Sequence, residues 1–358
     1  MVYAPAPAPS PVPVRVNLYS DTQTKPSRAM KIAMMDAEVG DEQMGTDPTI
    51  NMLTERMAAL LGKEAAVFMP SGTMCNEIAI LVQCRPGDEI LTHKTSHILS
   101  SEGGAPWALA GTQVTGLEGD LGLFDVAALD AAERPRSRNA PPQRMVEVEQ
   151  TANLGGGAVW PLQALHDVAD WAHARGMVTH MDGARLMNAC VEAAIPAHEM
   201  AAGYDTVWLD FTKGLGAPLG AVLAGSEEFV GQAWRWKQRM GGALRQGGIV
   251  AAACLYALDH NVERLAEDHA NARSLARGLA QVPGLVPEPV HTNLVYVDTA
   301  GTGMTGSDLA KAAREHGVSV SVMGKHRIRC CTHLDVDAAG IEMAVQVLRT
   351  VVSDRHAT

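Results

Sequence analysis

Aromatic side chains are scarce in this chain, since Phe, Trp and Tyr together make up 4% of its 358 residues. We therefore do not expect a site that stacks a ligand between several aromatic rings. Basic side chains are also in the minority, with 29 Lys and Arg against 40 Asp and Glu and a formal net charge of −11. Binding to nucleic acids or to anionic membranes needs a basic surface. The composition argues against both kinds of partner.

Paired cysteines and long apolar runs are missing as well. The six cysteines, at positions 75, 84, 190, 254, 330 and 331, show no CxxC spacing, which argues against a disulfide framework or a zinc cluster. Cys330, Cys331 and His333 are close in sequence, but neighbours on a strand point to opposite faces, so we predict no metal site. The apolar runs fall short of the roughly 20 residues of a membrane span. Because a signal-peptide pattern is also missing, we expect a cytoplasmic protein.

Helical periods alternate with short β-branched runs, a pattern typical of α/β proteins with a mostly parallel sheet. The Pro- and Ala-rich residues 1–15 favour extended polyproline conformation and are interpreted as a flexible N-terminal arm. Residues 16–255 are predicted to form a large domain and residues 256–358 a smaller C-terminal α/β domain. The predicted helices include residues 48–61, 74–82, 161–174, 227–239, 249–262 and 338–351, and the predicted strands residues 65–69, 89–92, 145–148, 178–181, 206–210, 221–224, 294–297, 318–322 and 327–331.

Three polar stretches follow predicted strands. Ser71, Gly72 and Thr73 precede a predicted helix, whose unpaired N-terminal N–H groups favour an anion the size of phosphate. Asp182 ends a second buried strand, and Lys213 follows a third, one helix-containing crossover later. Ligands of open α/β sheets bind beyond the carboxyl ends of the strands. Asp182 and Lys213 can therefore project into one crevice.

These three stretches match the requirements of pyridoxal 5′-phosphate, which needs a Schiff-base lysine, a carboxylate at the pyridinium nitrogen and a phosphate cradle. Each stretch alone has an ordinary structural explanation, such as an N-capped helix or a surface ion pair. The combination favours the cofactor. The fingerprints GxGxxG and GxxxxGK[ST] are missing from the sequence, which argues against a nicotinamide dehydrogenase and a P-loop protein.

The sequence resembles the fold-type I pyridoxal-phosphate enzymes and, within them, the L-threonine (β-hydroxy-α-amino-acid) aldolases. The resemblance implies an aspartate-aminotransferase-like α/β fold and a homodimer or homotetramer with sites between subunits. The matching segments follow the family's order along most of the chain, and they are residues 17–26 (NLYSDTQTKP), 45–49 (GTDPT), 62–73 (GKEAAVFMPSGT), 180–185 (HMDGAR), 212–218 (TKGLGAP), 245–249 (RQGGI) and 329–336 (RCCTHLDV).

The resemblance also implies roles for the cofactor-binding residues. Lys213 is expected to bond to the cofactor aldehyde, and Asp182 to keep the pyridine nitrogen protonated. The run Thr95-Ser96-His97 matches the place where the family has a histidine over the cofactor ring. Residues 71–73 are expected at the phosphate.

Further roles implied by the resemblance concern arginines and one serine. Ser20 and Arg329 are expected to hold the substrate carboxylate, since a guanidinium group matches a carboxylate in bidentate geometry. Arg185 is expected near both cofactor and substrate. Arg245, together with Arg239, is expected near the phosphate, reaching it from a neighbouring subunit.

The chain departs from the family pattern at three positions. Ala152 stands where many members have a histidine near the substrate hydroxyl, Met44 where many have tyrosine, and Gln238 where lysine is common. Without that histidine, His97 or a positioned water is the remaining base. Because methionine fills irregular space, Ala152 and Met44 predict a larger and more apolar substrate pocket. Our hypothesis is that phenylserine is then cleaved better than threonine.

The sequence thus predicts a pyridoxal-phosphate aldolase that cleaves the Cα–Cβ bond of L-β-hydroxy-α-amino acids to glycine and an aldehyde. Two alternatives remain open. One is β-elimination or racemisation on the same cofactor, which the products distinguish. The other is a non-catalytic relative of the fold, which would lack a borohydride-sensitive yellow absorption band.

Overall fold

The structure, a computed structural model, describes residues 12–356. It contains twelve strands in these residues, β1 (Val16–Leu18), β2 (Ala65–Met69), β3 (Glu89–His93), β4 (Gln113–Leu117), β5 (Gln143–Glu149), β6 (Val178–Gly183), β7 (Thr206–Asp210), β8 (Ala221–Gly225), β9 (Val286–Pro287), β10 (Leu294–Asp298), β11 (Val318–Gly324) and β12 (Arg327–Cys331). The α-helices are α1 (Arg28–Met35), α2 (Pro48–Leu61), α3 (Gly72–Gln83), α4 (His97–Ser100), α5 (Val126–Ala132), α6 (Leu162–Ala174), α7 (Leu186–Ala193), α8 (Ala197–Met200), α9 (Glu227–Arg239), α10 (Gly248–His260), α11 (Leu265–Leu279), α12 (Gly306–Glu315) and α13 (Ala338–His356).

The chain forms two compact units. The large unit is Lys25–Leu265, and the small unit combines, within the described residues, 12–24 with 266–356. Most of the predicted N-terminal arm, residues 1–11, lies outside the described part of the chain.

The large unit is built on a seven-stranded sheet in the order β2-β8-β7-β6-β5-β3-β4. Neighbours from β4 to β7 are parallel, whereas β8 runs antiparallel to both β7 and β2. The predicted mostly parallel sheet is confirmed. Its carboxyl edge brings the ends of β5, β6 and β7 side by side, which is where parallel α/β sheets bind ligands.

Local signals explain why some element bounds were readable from the sequence. Helix α2 begins after Asp47, whose side chain accepts a hydrogen bond from the Ile50 N–H, and has Pro48 in its first turn. It ends at Gly62, which has φ +63°, a left-handed conformation that glycine adopts without a Cβ clash. The predicted helix at residues 48–61 is therefore confirmed at both ends.

The small unit has a five-stranded sheet in the order β1-β11-β12-β10-β9. Strand β1 pairs in parallel with β11, with Val16 opposite Val318, and the other pairs are antiparallel. This pairing groups the segment up to Thr24 with the small unit, whereas the prediction put residues 16–24 in the large domain. A three-residue strand is too short to show a period, so sequence could not assign it.

The second domain boundary also shifts, from the predicted residue 256 to residue 266. Helix α10 is unbroken across the predicted boundary and packs on α1 and α2 in the large unit. Its alanines and Cys254 are buried in the core of that unit, so dividing the helix would expose apolar surface. No helix within residues 12–356 has the length and apolar composition needed to cross a membrane.

Candidate active site

The ends of β6 and β7 place Asp182 opposite Trp208 in the strand register. Asp182 is buried, and its Oδ1 accepts a hydrogen bond from the Ala184 N–H at 3.0 Å. Lys213 follows β7, and its Nζ lies 5.7 Å from the centroid of the Trp208 ring. The structure thus places Asp182 and Lys213 at the same edge of the sheet, both next to Trp208.

Lys213 is held by Asp210, the last residue of β7. Its Nζ donates to Asp210 Oδ2 at 2.7 Å, and the lysine side chain keeps 19% of its surface exposed. The other oxygen, Oδ1, accepts hydrogen bonds from the Thr212 N–H at 3.0 Å and from Thr212 Oγ1 at 2.8 Å. Asp210 therefore shapes the turn that carries the lysine and orients its amine. Sequence reasoning did not assign it a role.

The N-terminus of α3 lies next to the same ring. Ser71 caps the helix by accepting the Met74 N–H at 3.3 Å. Any Cβ at Gly72 would clash with the six-membered ring of Trp208, so glycine is required there by a close approach. Ser71 and Thr73 are exposed, and by helix geometry the first N–H groups of α3 have no partner inside the helix. The arrangement suits an anion bound beside the Trp208 ring.

His97 begins α4 and is joined to Asp182 through two other side chains. Its Nδ1 lies 2.7 Å from Glu102 Oε1. Asn76 Nδ2 donates to Glu102 Oε1 at 2.7 Å and to Asp182 Oδ2 at 2.9 Å. One ring nitrogen of His97 and one carboxylate oxygen each of Glu102 and Asp182 all lie within 4.8 Å of one another. The structure thus brings together the predicted histidine and aspartate, with Asn76 and Glu102 between them.

Asn76 is oriented by two further groups. Its Oδ1 accepts a hydrogen bond from Trp208 Nε1 at 2.6 Å and lies 3.0 Å from His180 Nε2. Burial lowers the pKa of His180 to about 3, so this ring is neutral, and its Nδ1 lies 2.8 Å from Thr206 Oγ1. With two groups on its oxygen and two carboxylates on its nitrogen, the amide of Asn76 has one favourable orientation.

Several carboxyl groups crowd this edge of the sheet. Burial raises the pKa of Asp182, although His97 and the Asn76 hydrogen bond oppose the shift. Glu149 on β5 is opposite Asp182 in register, and burial followed by the Asp182 charge raises its pKa to about 7. Burial also raises the pKa of Glu147, whose Oε2 accepts a hydrogen bond from Thr92. The site therefore combines negative charge with acidic groups whose raised pKa favours the protonated form.

The surrounding negative charge affects the pKa of His97. Burial acts to lower the pKa of its imidazole, but the hydrogen bond with Glu102 and the charges of Asp182, Glu102 and Glu149 outweigh burial and raise the pKa. Glu149 also anchors the backbone, because its Oε2 accepts the His97 N–H at 3.1 Å and its Oε1 the Asn153 N–H at 2.9 Å. Both the position and the protonation of His97 are set by carboxylates.

Arg185 and Ala152 lie near Glu149 in different settings. Arg185 is buried, and its Nη1 donates to Asn153 Oδ1 at 3.4 Å. Ala152 is 3% exposed. A Cβ placed on Gly122 would lie only 2.8 Å from the Cβ of Ala152. The turn at Asp120–Gly122 therefore covers Ala152. The larger substrate pocket expected from Ala152 and Met44 stays a prediction.

Arg245, Arg239 and Met44 lie on the outside of the large unit. The Arg245 side chain is 61% exposed and pairs with Asp41 through Nη1 and Oδ2 at 3.0 Å. The Arg239 guanidinium lies 4.6 Å from the centroid of the Trp236 ring. Met44 is 73% exposed. One chain alone does not bury these side chains in the Asp182–Lys213 crevice.

The predicted carboxylate-binding residues belong to the small unit. Ser20 is buried, its Oγ accepts the Thr22 N–H at 3.2 Å and lies 2.8 Å from Thr22 Oγ1. Arg329 lies on β12 between Tyr296 of β10 and Ser321 of β11. His333 Nε2 lies 2.8 Å from the Asn17 carbonyl oxygen, which gives this histidine a structural partner.

Sequence reasoning assigned no role to several residues around the site, among them Asn76, Glu77, Trp208 and Asp210. A signal for the first two exists, because α3 reads GTMCNEIAILVQ and places two adjacent polar residues in an otherwise apolar helix. Buried polar groups of this kind need partners and so mark a network. The scarcity of aromatic residues was also misleading, since one ring, Trp208, contacts both the helix N-terminus and Asn76.

Comparison with known proteins identifies the family. The family of beta-eliminating lyases matches residues 17–302 of this chain. The chain belongs to the beta-eliminating lyase family.

Relatives of this lyase carry more than one name. Low-specificity L-threonine aldolase 1 of Arabidopsis thaliana is 36% identical over 333 residues, which is 91% of this chain and 93% of the relative. Alanine racemase TOXG of Cochliobolus carbonum is 30% identical, over 93% of this chain and 86% of the relative. Among solved structures, Leishmania major threonine aldolase superposes with a TM-score of 0.81 and 20% identity, over 94% of this chain and 99% of that one. The fold is the fold-type I α/β architecture, as predicted.

Proposed function

We propose that this beta-eliminating lyase family member is a pyridoxal-phosphate-dependent carbon–carbon lyase. It would cleave the Cα–Cβ bond of L-β-hydroxy-α-amino acids such as threonine, allo-threonine and phenylserine, and release glycine and an aldehyde. The observation that carries the proposal is the joint placement of Lys213, Asp182 and His97 at one edge of the sheet, beside the N-terminus of α3. The relative named L-threonine aldolase supports this choice of reaction.

The residues of this edge fit the cofactor. Glu102 Oε2 and Glu147 Oε1 are buried without a hydrogen-bond partner within the described residues. The charge of Glu102 acts on Asp182, and the charge of Asp182 acts on Glu147. A cationic ring nitrogen at Asp182 would offset this negative charge. The N–H groups at the start of α3 would hold the phosphate, and Lys213 would bond to the aldehyde. When bound, the cofactor supplies an electron sink for the carbanion left by Cα–Cβ cleavage.

His97 is the candidate base within the large unit. Because its Nδ1 is engaged by Glu102, the second ring nitrogen, Nε2, is the atom left to take the proton of the substrate β-hydroxyl. Its side chain is 38% exposed, so a substrate can approach it. Ser20 and Arg329 are the residues proposed to hold the substrate carboxylate, which sets the bond that breaks.

We also propose that the enzyme is a homodimer or homotetramer with sites completed by a second subunit. Exposed apolar side chains on α10 and on the two helices that pack against it support this, namely Met35 of α1, Met52 of α2 and Ile249 of α10, together with Met44. A second copy covering them would also bury Arg245. Analytical ultracentrifugation should give a dimer or tetramer mass, and a monomer at micromolar concentration would contradict the proposal.

The test of the cofactor role uses the yellow absorption band. Borohydride should bleach the band and leave the reduced cofactor attached to the peptide that contains Lys213. Lys213→Ala should abolish both signals, whereas the control Lys94→Ala, which removes an exposed lysine paired with Glu118, should keep them. Attachment at another lysine would overturn the assignment.

The test of the reaction measures products. Threonine, allo-threonine, phenylserine and 3-hydroxyaspartate are incubated with the enzyme, and glycine and aldehyde are quantified. Pyruvate with ammonia would indicate β-elimination instead. A separate incubation with L-alanine tests racemisation, the reaction in the name of the Cochliobolus carbonum relative, and formation of D-alanine would indicate it. A kcat/KM for threonine above that for phenylserine would contradict the hypothesis of a preference for phenylserine.

A further inference from the structure

Glu77 is a buried acid that the proposed reaction does not use. It lies on α3 directly after Asn76 and is 2% exposed. Both of its side-chain oxygens are buried and have no hydrogen-bond donor within the described residues. An ionised carboxylate in such a place would lack every partner that usually offsets its burial.

The neighbouring acid Glu102 explains how Glu77 can be buried without another partner. Its carboxyl group interacts with that of Glu102, whose Oε2 is also buried without a donor. Two adjacent carboxylates cannot satisfy each other, but one carboxylic acid and one carboxylate can, because the acid supplies an O–H donor. Burial, followed by the hydrogen bond and charge of Glu102, raises the pKa of Glu77 to about 9.

The proton belongs on Glu77 rather than on Glu102. Glu102 Oε1 already accepts the Asn76 amide N–H at 2.7 Å and lies 2.7 Å from His97 Nδ1. Glu102 thus already has two nitrogen partners on Oε1, whereas Glu77 has no such partner. An O–H of Glu77 directed at Glu102 would give the remaining oxygen of Glu102 its missing donor.

We propose that Glu77 is a positioning residue: it holds a proton and donates it to Glu102, which stays the ionised acceptor of His97 Nδ1–H. The imidazole is thereby fixed with Nδ1 toward Glu102 and Nε2 left for the reaction. The inference rests on the proposed function only where it gives His97 a part in the reaction. Glu77 itself touches neither cofactor nor substrate.

The other charged groups around His97 must be considered in any pH test. Glu102, Asp182 and Glu149 act on its imidazole directly. Further groups act on those acids, namely Glu147 and Lys213 near Asp182 and Arg185 near Glu149. A substitution at Glu77 replaces none of these residues and reaches His97 only through Glu102, so two variants at this position isolate its contribution.

The variants differ in one property, the ability to donate a hydrogen bond. Glu77→Gln is neutral and can donate its amide N–H to Glu102, so it imitates the protonated acid. Glu77→Leu fills similar space without a donor, which leaves Glu102 to interact more strongly with His97 and raises the pKa of the imidazole further. Thermal unfolding followed by circular dichroism verifies that both variants fold, and the exposed Glu55→Gln serves as the matched control.

The decisive measurement is the NMR titration of His97 in the full chain labelled with ¹⁵N-histidine, with His97→Gln identifying the signal. Glu77→Leu should move the His97 midpoint upward and lower kcat/KM at pH 7 by about three- to tenfold, the effect of one hydrogen bond. Glu77→Gln should match the unmodified chain in midpoint and remain within about twofold in kcat/KM.

Two results would overturn the inference: equal midpoint shifts in Glu77→Gln and Glu77→Leu, or no shift in either. The titration needs no substrate, so it separates this inference from the proposed function. Glycine formation with an unmoved His97 midpoint in Glu77→Leu removes the role of Glu77 and leaves the aldolase. A moved midpoint without glycine formation supports Glu77 and removes the aldolase.

Discussion

Two lysine–carboxylate pairs in the large unit differ in what surrounds them. Lys213 pairs with Asp210 at 2.7 Å and keeps 19% of its side chain exposed. Lys237 pairs with Glu42, and its side chain is 0% exposed. Its Nζ lies 4.8 Å from the Trp234 ring centroid and 5.7 Å from that of Phe68.

The difference shows how one residue type serves two purposes. Glu42 has a second partner, since its Oε2 accepts the Leu244 N–H at 2.7 Å, so the Lys237 pair ties residues 42 and 244 together inside the unit. The Lys213 pair instead orients an amine that remains reachable. A buried pair is costly to break, whereas a partly exposed pair contributes little to stability. We therefore expect Lys213 to matter for turnover and Lys237 for folding.

The largest expected effect is that of Lys213→Ala on turnover. Removal of the amine that bonds to the cofactor should lower kcat/KM by at least about 10³-fold. The free energy of unfolding should change less than in Lys237→Met, because Asp210 Oδ1 keeps its two hydrogen bonds from Thr212. Steady-state assays and urea unfolding measure the two quantities. A stable variant with undiminished turnover would break the comparison.

Lys237→Met should show the opposite pattern. It leaves Glu42 as an uncompensated buried charge, so the free energy of unfolding should fall by about 3–5 kcal/mol. Activity per folded molecule should remain within about tenfold of the unmodified chain.

The control for that variant is the double change Glu42→Gln with Lys237→Met. It removes both charges while the glutamine oxygen can still accept the Leu244 N–H, so most of the lost stability should return. A double variant less stable than Lys237→Met would mean that the charge of Glu42 is not the cause.

The rates of chemical modification of Lys213 and Lys237 should differ by a smaller factor than the loss of turnover in Lys213→Ala. After removal of bound cofactor, acetic anhydride should modify Lys213 at least about tenfold faster than Lys237, because modification of a fully buried amine requires local opening. Burial lowers the pKa of Lys237 and would favour its reaction, so slow modification isolates the effect of access. Peptide mass spectrometry measures both rates, and equal rates would contradict the enclosure of Lys237.

The smallest effect concerns pH. Burial outweighs the attraction of Glu42 and lowers the pKa of Lys237 in the folded chain below 10.5. Between that lowered pKa and 10.5 the unfolded chain binds more protons, so the contribution of Lys237 to stability rises with pH. The difference in Tm between the unmodified chain and Lys237→Met should therefore widen as pH increases toward 10.5. A difference that narrows would contradict the lowered pKa.

Much of the fold was readable because local signals agree. Capping at Asp47 and Gly62 and the apolar period of α2 predict its bounds, and the predicted strands at residues 65–69 and 327–331 are confirmed. The segment at residues 16–24 was not assigned correctly, because its one strand pairs with β11 some 300 positions away. No local pattern reports such a pairing.

The candidate site also contains residues that the sequence predicts and features that only the tertiary structure shows. Lys213 and Asp182 could be predicted because they lie at the ends of predicted strands and in segments that resemble the family. His97 could be predicted from the family resemblance alone. The close approach of the turn at Asp120–Gly122 to Ala152 could not be predicted from the sequence, and the role of Ala152 in the substrate pocket stays a prediction. The substrate-carboxylate roles of Ser20 and Arg329 stay predictions, as does the phosphate role of Arg245.

The sequence by itself determined the α/β class, the family, and the lysine and aspartate of the candidate site, since these depend on period, spacing and residue type. Only the tertiary structure decided how the scarce aromatic residues and the many acids are used. Trp208 and Asn76 are 132 positions apart yet hydrogen-bonded, and Glu77 and Glu102 meet from different elements. Burial and charge act through space, so protonation at His97 is set by neighbours that the order of residues does not reveal.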